Sequence, residues 1–480
     1  MSYCNNNNDA TTETCEHVHK YTTDATTPSR PTFVLDTNNY DPDFVSAKIY
    51  PCKPCKKCDK CDKCGGGGDY TILNLRPPVE RSEDENWANV EIDASLVAPY
   101  RSVICRRNTA LCIAPPKGMS VEAFTQKYPV GPAAGTGENS EGDTADMYVN
   151  EVIEGTMINL FYDCYGNAGA GSWEIATKGA VGGNYWYLRT QYPTVGINGP
   201  QLTFRQMFLE ACGVGLAGGD GVVYDDLGAV EGLKPWLKTL DRNMVYSFVL
   251  QHPLNHIVGW VPAPKLWLVA VYKRVGVDGG VAFEYVSPLE YESWPVFGGG
   301  CVAVYFPKWY SFHGGDTGYA ELESLVAGMP MDVPGVMVTH LVTGDRCRID
   351  HPKYMEALAV RGNHPNLQYH YLTMLKGMGN AGVDEFLEYF PWYEGVFQRF
   401  YWQLVEFVRG VHQAYVDRYV RRIAAEGEVS KRYAPHIWRL HNQVYLPGIA
   451  VGQKVVIRKE VVWGYVWGLE VKELIHYLNL

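Results

Sequence analysis

Between about residue 85 and residue 350, short runs of aliphatic, aromatic and β-branched residues alternate with turns rich in glycine and proline. Apolar runs of this length between turn residues are typical of β-strands. Residues 130–143 and 213–221 lack such runs and are predicted to be exposed loops. The pattern predicts a strand-rich α+β domain. The predicted strands cover residues 102–106, 111–115, 156–163, 173–177, 244–252, 265–273 and 335–342.

The spacing of the apolar positions changes after Pro365. Apolar and aromatic residues then recur every three or four positions, as at Phe397, Phe400 and Leu404. This is the period of an amphipathic α-helix. Residues 356–480 are therefore predicted to form a second, α-helical domain with an aromatic core.

Residues 1–70 differ in composition from the rest of the chain. Asparagine and threonine dominate the start, and few residues there could bury a core. We predict a disordered, low-complexity tail over residues 1–70 and a folded domain over residues 71–355. The tail contains five cysteines at every third position, namely Cys52, Cys55, Cys58, Cys61 and Cys64.

The cysteine repeat is open to three interpretations. Cys-x-x-Cys pairs bind zinc, although zinc modules usually separate their two pairs by a longer loop. Disulfides or intermolecular cross-links in an oxidising particle are the second interpretation. The third is a cysteine-rich tail without defined chemistry. The sequence alone does not choose among them.

Charge makes a broad nucleic-acid surface unexpected. The chain has 480 residues with 42 basic and 53 acidic side chains. Residues 330–480 contain 17 basic and 15 acidic side chains, so the acidic excess lies in the first two thirds. A protein that binds nucleic acid through its phosphates normally carries a basic face. RNA is thus a partner that the overall charge does not support.

The sequence also predicts neither membrane insertion nor secretion. No apolar run approaches the roughly 20 residues of a membrane helix, and the first residues lack the pattern of a signal peptide. The glycine-rich stretches carry no phosphate-binding fingerprint. His412, His436 and His441 lie on the predicted aromatic helices and are interpreted as packing or surface residues.

Several segments follow one another in a characteristic order. In this order they resemble the bacteriophage RNA ligase 1 family of covalent nucleotidyltransferases. The resemblance implies an antiparallel-sheet nucleotidyltransferase-like domain over residues 71–355. In that family a lysine in a K-x-D-G segment attacks the α-phosphate of ATP, with metal-binding carboxylates and further cations around it. The matching segments are residues 100–104, 114–117, 152–163, 173–179, 246–258, 334–338 and 346–354.

The resemblance locates the nucleophile motif on a segment without the lysine. K-x-D-G aligns with Val152, Ile153, Glu154 and Gly155, so a valine occupies the position of the attacking amine. A valine side chain cannot carry AMP. The third motif, which normally supplies a glutamate, ends at Gln251, where an amide replaces the carboxylate.

The fourth and fifth motifs have changed as well. The segment that normally reads E-G aligns with Pro334 and Gly335, which removes the glutamate. The K-x-K motif aligns with Arg348, Ile349 and Asp350, so one cation remains and the other has become an acid. The resemblance therefore predicts a site that has lost its chemistry within a fold that is kept.

Three basic residues match positions where the family's cleft faces AMP or its phosphates. They are Arg101, Lys117 and Lys178. The alternative interpretation of these residues is that they are ordinary surface cations. Retained contacts with a nucleotide or an RNA end are the functional interpretation.

Further strings resemble proteins of large nucleocytoplasmic DNA viruses. They are the YSFVLQHP string at residues 246–253, the RGN string at 361–363, the YFP string at 389–391 and the late LH string at 440–441. The resemblance covers about residues 95–480. It implies a viral protein found in the virion or in the cytoplasm of infected cells.

The sequence favours a catalytically inactive, RNA-ligase-like viral protein. It would act as a structural or binding component, for example as a minor capsid or virion protein with capsid components as partners, and would need no cofactor. One alternative is an active ATP-dependent RNA ligase or nucleotidyltransferase that uses Mg²⁺ and a non-standard lysine, Lys178 or Lys117. A further alternative is a pseudo-enzyme that binds nucleotide or RNA ends.

Overall fold

A computed structural model gives the structure of most of the chain outside its N-terminal part. The predicted loop at residues 130–143 lies almost wholly outside the described residues, as does much of the one at 213–221. The five repeated cysteines of the tail also lie outside them. The structure describes residues 45–50, 69–75, 100–107, 109–130, 146–166, 170–185, 202–215, 227–277, 280–298, 302–314, 317–362, 364, 366–423 and 428–480.

The fold is mixed, with β-strands that pair mainly antiparallel and helices concentrated after residue 351. All seven predicted strands are present, which confirms the strand-rich interpretation of residues 85–350. The strands are β1 Val45–Tyr50, β2 Tyr70–Leu75, β3 Tyr100–Arg106, β4 Thr109–Pro116, β5 Met147–Glu151, β6 Thr156–Asp163, β7 Ser172–Thr177, β8 Ala180–Val181, β9 Met244–Gln251, β10 Lys265–Val277, β11 Gly280–Val286, β12 Val304–Tyr305, β13 Trp309–Tyr310, β14 Gly335–His340 and β15 Arg346–Asp350.

Thirteen α-helices occur among the described residues. Short 3₁₀ turns lie at Leu227–Ala229 and Pro391–Tyr393, and π-helical turns at Val416–Val420 and Leu440–Tyr445. The α-helices are α1 Val121–Lys127, α2 Phe204–Ala211, α3 Lys234–Thr239, α4 Pro288–Tyr291, α5 Ala320–Ala327, α6 Pro352–Arg361, α7 Leu367–Met378, α8 Asn380–Tyr389, α9 Glu394–Tyr415, α10 Ala434–Arg439, α11 Leu446–Ala450, α12 Lys459–Trp467 and α13 Val471–Leu478.

A seven-stranded central sheet organises the first part of the chain. Its order is β11-β10-β9-β6-β7-β8, and the short β12 pairs in parallel with β10. Successive side chains of a strand point to opposite faces. On β9, Tyr246 and Phe248 accordingly enter the core under α2 and α3, whereas Val245 enters a second core on the other face.

The second core is shared with a four-stranded sheet of order β1-β2-β3-β4. Arg106 of β3 forms a buried ion pair with Asp163 of β6, and the Tyr70 hydroxyl donates to the same carboxylate at 2.7 Å. This sheet also corrects one expectation, because β1 lies within the tail predicted to be disordered. The six residues of β1 pair in register with β2, from Val45 opposite Leu75 to Tyr50 opposite Tyr70.

A third sheet, of order β13-β5-β14-β15, faces the central sheet on the side of the motif segments. Helices α1 and α5 cover it, and Phe124, Leu322, Val336 and Val338 form its small core. Because β5 leads directly into the turn before β6, the third sheet and the central sheet approach one another at that turn.

From Pro352 onward, every regular element that the structure describes is helical, as the three- and four-residue spacing predicts. The first of these helices begins slightly before residue 356, because the His351 ring accepts a hydrogen bond from the backbone N–H of Tyr354 and caps α6. Aromatic side chains such as Phe386, Phe397 and Phe407 fill the core of this helical lobe. Among the described residues, no helix is long and apolar enough to cross a bilayer.

Candidate functional site

A cavity of about 530 Å³ lies between the central sheet and the third sheet. Side chains of β5, β14 and β15 form one wall, and those of β6, β9, β10 and β11 form the other. The cavity brings together six of the residues that the sequence singled out. These are Arg101, Lys117, Val152, Gly155, Arg348 and Asp350.

The segment that aligns with the nucleophile motif forms the turn between β5 and β6. The Val152 N–H donates to the Gly335 carbonyl at 2.9 Å, which fixes the turn against the third sheet. At Gly155 the backbone has φ +155°, and a Cβ there would lie 2.5 Å from the Leu250 carbonyl oxygen. Only glycine fits so close to β9. Val152 lines the cavity, and it is the residue that the sequence resemblance aligns with the motif lysine.

Four cations converge on this cavity from different strands. Arg101 lies on β3, Lys117 follows β4, and Arg346 and Arg348 lie on β15. Burial and the neighbouring Arg346 and Arg348 lower the pKa of the Arg101 guanidinium. Burial and the nearby Arg101 lower the pKa of Lys117. Burial is the larger cause of both shifts, and the nearby like charges add to it. An anion among these cations would relieve the second contribution.

Arg346 is a member of this group that the motif comparison missed. Its Nε donates to the Pro116 carbonyl at 3.1 Å, so it joins β15 to the end of β4. It begins the matching segment at residues 346–354, although the K-x-K motif in that segment starts at Arg348. Its position two residues before Arg348 places both side chains on the same face of a strand.

Three carboxylates also line the cavity, and each has a contact with a neighbouring residue. Asp350 pairs with Arg348, and Glu151 Oε1 accepts from the Lys308 backbone N–H at 3.1 Å. Glu292 Oε1 accepts from the Tyr148 hydroxyl at 2.7 Å, and burial raises the pKa of this carboxyl. The charged side chains of the lining thus include more cations than carboxylates.

Glu154 is absent from the cavity lining and points toward the helical lobe instead. Its carboxylate is buried and accepts from the backbone N–H groups of Ile257, Val258 and Gly259 at 2.8, 2.9 and 3.1 Å. The Tyr354 hydroxyl of α6 donates to it at 3.0 Å. We call this arrangement the Glu154 joint. The carboxylate that aligns with the motif aspartate holds the sheets and the helices together.

Gln251 supports the same joint. Its side-chain NH₂ donates to the Glu154 carbonyl at 3.0 Å, and its Oε1 accepts from the Trp267 indole at 2.8 Å. An amide can donate and accept at once, whereas a carboxylate can only accept. The local hydrogen bonds therefore suit glutamine better than the glutamate of the family motif.

At the fourth motif, Pro334 and Gly335 make close backbone contacts with neighbouring strands and with the start of α6. The Pro334 carbonyl accepts from the His351 N–H at 2.9 Å, beside the start of α6. Gly335 has φ +135°, and a Cβ there would overlap the Ile349 carbonyl oxygen. The glycine of the motif is thus required by the pairing of β14 with β15, whatever the chemistry of the cavity.

Lys178 lies in the exposed turn between β7 and β8 and does not line the cavity. Within the part of the chain that the structure describes, no group of three or more His, Cys, Asp or Glu side chains has a metal-binding arrangement. Zinc binding by the tail cysteines stays a prediction.

An aromatic and basic strip borders the cavity, and the motif comparison missed it as well. Lys265 lies over the rings of Trp267 and Tyr305, with Nζ 5.7 and 5.5 Å from the ring centroids. Trp309 is 54% exposed, and its backbone pairs with Asn150 of the cavity lining. The signal in the sequence is the run of aromatic residues and lysine at residues 305–310.

Comparison with known proteins gives no matching family model and no matching curated protein. The solved structures with similarity to this chain include Naegleria gruberi RNA ligase with PPi, at 10% identity, TM-score 0.29 and coverage of 44% of this chain and 50% of that chain. An apo mutant of a Naegleria gruberi RNA ligase matches at 10% identity, TM-score 0.32 and coverage of 51% and 57%.

An archaeal ATP-dependent RNA ligase matches at 9% identity, TM-score 0.33 and coverage of 68% of this chain and 64% of that chain. The matches with the two Naegleria structures described above cover only 50% and 57% of those chains. These neighbours are RNA ligases. TM-scores near 0.3 do not establish a shared fold, so the assignment of function rests on the residues and contacts of this chain.

Proposed function

We propose that this chain is a non-catalytic binding protein whose cavity accepts the phosphate of a nucleotide or of a 5′-phosphorylated RNA end. One observation carries the proposal, namely that Arg101, Lys117, Arg346 and Arg348 converge on one cavity beside Val152. Guanidinium groups form charge-assisted, often bidentate hydrogen bonds with phosphate oxygens. The cavity offers such contacts without a lysine at the nucleophile position of the motif.

A bound phosphate would attract the cavity cations, which repel one another when the cavity is empty of an anion. The lowered pKa of Arg101 and of Lys117 reflects burial and the neighbouring cations. A phosphate placed among these side chains neutralises part of their mutual repulsion. Trp267, Tyr305 and Trp309 at the border could stack on the bases of the same ligand, because aromatic side chains bind bases of any sequence.

The alternative of an active RNA ligase now depends on Lys117. Lys178 lies outside the cavity lining, whereas Lys117 lines the cavity, and burial and the nearby Arg101 lower its pKa. A lysine with a lowered pKa is a better nucleophile at neutral pH. Such an enzyme would join the Lys117 amine to the α-phosphorus of ATP and release pyrophosphate.

A labelling experiment separates the two functions. The purified protein would be incubated with α-³²P-ATP and Mg²⁺ or Mn²⁺ and run on a denaturing gel. We expect no covalent label. Label that disappears in Lys117→Ala would instead establish the ligase alternative.

Equilibrium binding tests the proposal itself. ATP and a 5′-phosphorylated RNA oligonucleotide would be titrated against the full chain, with the 5′-hydroxyl oligonucleotide as the ligand control. We expect Arg101→Ala and Arg348→Ala to weaken binding roughly tenfold each, as loss of a charge-assisted contact would. Lys178→Ala is the matched control and should bind normally. Equal binding by all three variants would contradict the proposal.

We further propose that the protein works in a virus particle, because its late sequence strings resemble those of proteins from large DNA viruses. Its partners would be capsid components. Quantitative mass spectrometry of purified particles should find the chain at a fixed ratio to the capsid protein. Its absence from the particle would assign the binding function to the infected cell.

A further inference from the structure

The end of the helical lobe carries exposed aliphatic side chains beside basic ones. We call this region the distal patch. Its aliphatic members are between 46% and 71% exposed. Contiguous exposed apolar side chains usually mark an interaction site. The aliphatic members are Val420, Ile423, Leu446, Ile449 and Val451, and the basic members are Arg418, Arg421, Arg422 and Lys454.

Ring contacts place the two halves of the patch side by side. The Tyr419 ring stacks on His441 with centroids 3.9 Å apart, and His441 stacks on Tyr445 at 5.2 Å. Val420 follows Tyr419 directly, and Leu446 follows Tyr445. The exposed aliphatic residues of both helical segments therefore lie at the same end of the lobe. Each segment contains a π-helical turn, a feature frequent at functional sites.

The charge of this region is opposite to that of the whole chain. Residues 416–423 contain three arginines and one acidic residue, and residues 446–456 contain one lysine and no acidic residue, whereas the chain has a formal net charge of −11. A partner with negative charge is therefore favoured here by electrostatic complementarity. Arg421 already pairs with a carboxylate, that of Asp417, at 3.5 Å.

We propose that the distal patch docks an acidic protein segment with interspersed aliphatic residues. Arginine forks match carboxylates in a bidentate manner, and the aliphatic members bury the apolar side chains of such a segment. The same patch of a second copy fits poorly, because a symmetric contact would bring arginine against arginine. Nucleic acid fits poorly too, because branched aliphatic side chains do not stack on bases.

A peptide-binding experiment with the full chain tests the proposal. The probe is a labelled synthetic peptide in which leucines recur every three or four residues and glutamates fill positions between them. A peptide with serine in place of each leucine is the ligand control. We expect the leucine peptide to bind and the serine peptide to bind at least roughly tenfold more weakly, because the apolar contacts would be lost.

Charge-reversal variants on α9 and on the segment that follows it test whether the peptide binds at the distal patch. Arg421→Glu with Arg422→Glu should weaken binding of the leucine peptide more than roughly tenfold. Arg399→Glu with Arg409→Glu changes the charge equally on the exposed face of α9 and should have no effect. A second variant, Leu446→Ser with Ile449→Ser, should also weaken binding without touching any charge.

Three results would overturn the proposal. The first is equal loss of binding in the Arg399 and Arg409 control, which would show a general charge effect. The second is absence of peptide binding together with sedimentation on phosphatidylserine vesicles that requires Arg421 and Arg422, which would identify a membrane contact. The third is loss of peptide binding in Arg348→Ala alone, which would place the peptide in the cavity.

Discussion

The turn between β5 and β6 contributes to both the cavity and the Glu154 joint. The charged groups at these two places have opposite surroundings. At the joint a single buried carboxylate accepts from three backbone N–H groups and one hydroxyl. In the cavity, four cations lie near one another, and the pKa of Arg101 is lowered partly by its like-charged neighbours. The joint is satisfied within the chain, whereas the cavity would gain from an added anion.

This difference separates stability from binding. A buried charge with a complete set of partners stabilises the fold, and removing it leaves the donors without an acceptor. Clustered like charges do the reverse, because they cost stability until a ligand arrives. Substitutions at the joint should therefore lower the free energy of unfolding, whereas removal of Arg101 from the cavity should weaken ligand binding without lowering this free energy.

The largest effect is expected at the centre of the joint. Glu154→Ala leaves three backbone N–H groups and the Tyr354 hydroxyl without their acceptor in a buried site, which should lower the free energy of unfolding by about 4 kcal/mol. Urea unfolding followed by tryptophan fluorescence measures the change. Glu385→Ala, at an exposed position of α8, is the control and should change stability by less than about 0.5 kcal/mol.

The milder Glu154→Gln keeps the prediction testable if the alanine variant does not fold. The amide retains one acceptor oxygen but points its NH₂ group at other donors, so the loss should be about half as large. A change below about 0.5 kcal/mol in both variants would show that the joint does not hold the two lobes together.

A second buried polar group extends the comparison into the helical lobe. His436 is buried against Phe407 and Tyr477, its Nδ1 lies 2.9 Å from the Tyr465 hydroxyl, and burial lowers its pKa to about 4. The unfolded chain therefore binds more protons than the folded chain between pH 4 and 6.5. The free energy of unfolding should have its full value above pH 6.5 and should fall by about 3 kcal/mol as the pH drops to 4.

The measurement is the slope of unfolding free energy against pH in that window. His436→Gln should remove most of this slope, even though it also lowers stability at pH 7. The control His412→Gln, at a half-buried position of α9, should keep the slope of the original chain. An unchanged slope in His436→Gln would assign the acid sensitivity to other groups.

A smaller effect on the free energy of unfolding is expected at Gln251, whose side chain supports the Glu154 joint. Gln251→Glu restores the side chain of the family motif, but it removes the donor to the Glu154 carbonyl and places a carboxylate beside that oxygen. Unfolding free energy should fall by about 2 kcal/mol. Gln453→Glu, at an exposed turn, should be neutral. Greater stability in Gln251→Glu would mean that this site still favours the carboxylate.

The strands and the positions of the motif residues could be predicted because their signals are local. Short apolar runs between turns predicted β6 and β9, and the order of the matching segments predicted that Val152 and Arg348 belong to one site. The Glu154 joint could not be predicted, because its donors lie 103 to 105 and 200 residues along the chain. Sequence order does not reveal such partners.

Two elements outside the predicted set differ in what determines them. Helix α2 has a local signal, because Thr203 and Gln206 form a capping box at its start. Strand β1 has only a weak signal and is held in place by pairing with β2. Tertiary contact, rather than local preference, decides the structure of such an edge strand.

The smallest effect on stability, and the sharpest contrast with the joint, is expected at Arg101. Its side chain lines the cavity, and its pKa is lowered by burial and by the like charges of Arg346 and Arg348. Arg101→Ala should therefore leave the free energy of unfolding within about 0.5 kcal/mol of the original, with any change toward greater stability because repulsion is relieved.

Thermal unfolding with and without ATP measures both the stability and the ligand binding of this variant. We expect ATP to raise the unfolding temperature of the original chain and to raise that of Arg101→Ala much less, since stabilisation by a ligand follows its affinity. Lower stability in Arg101→Ala without ligand would show that this cation is built into the fold as Glu154 is.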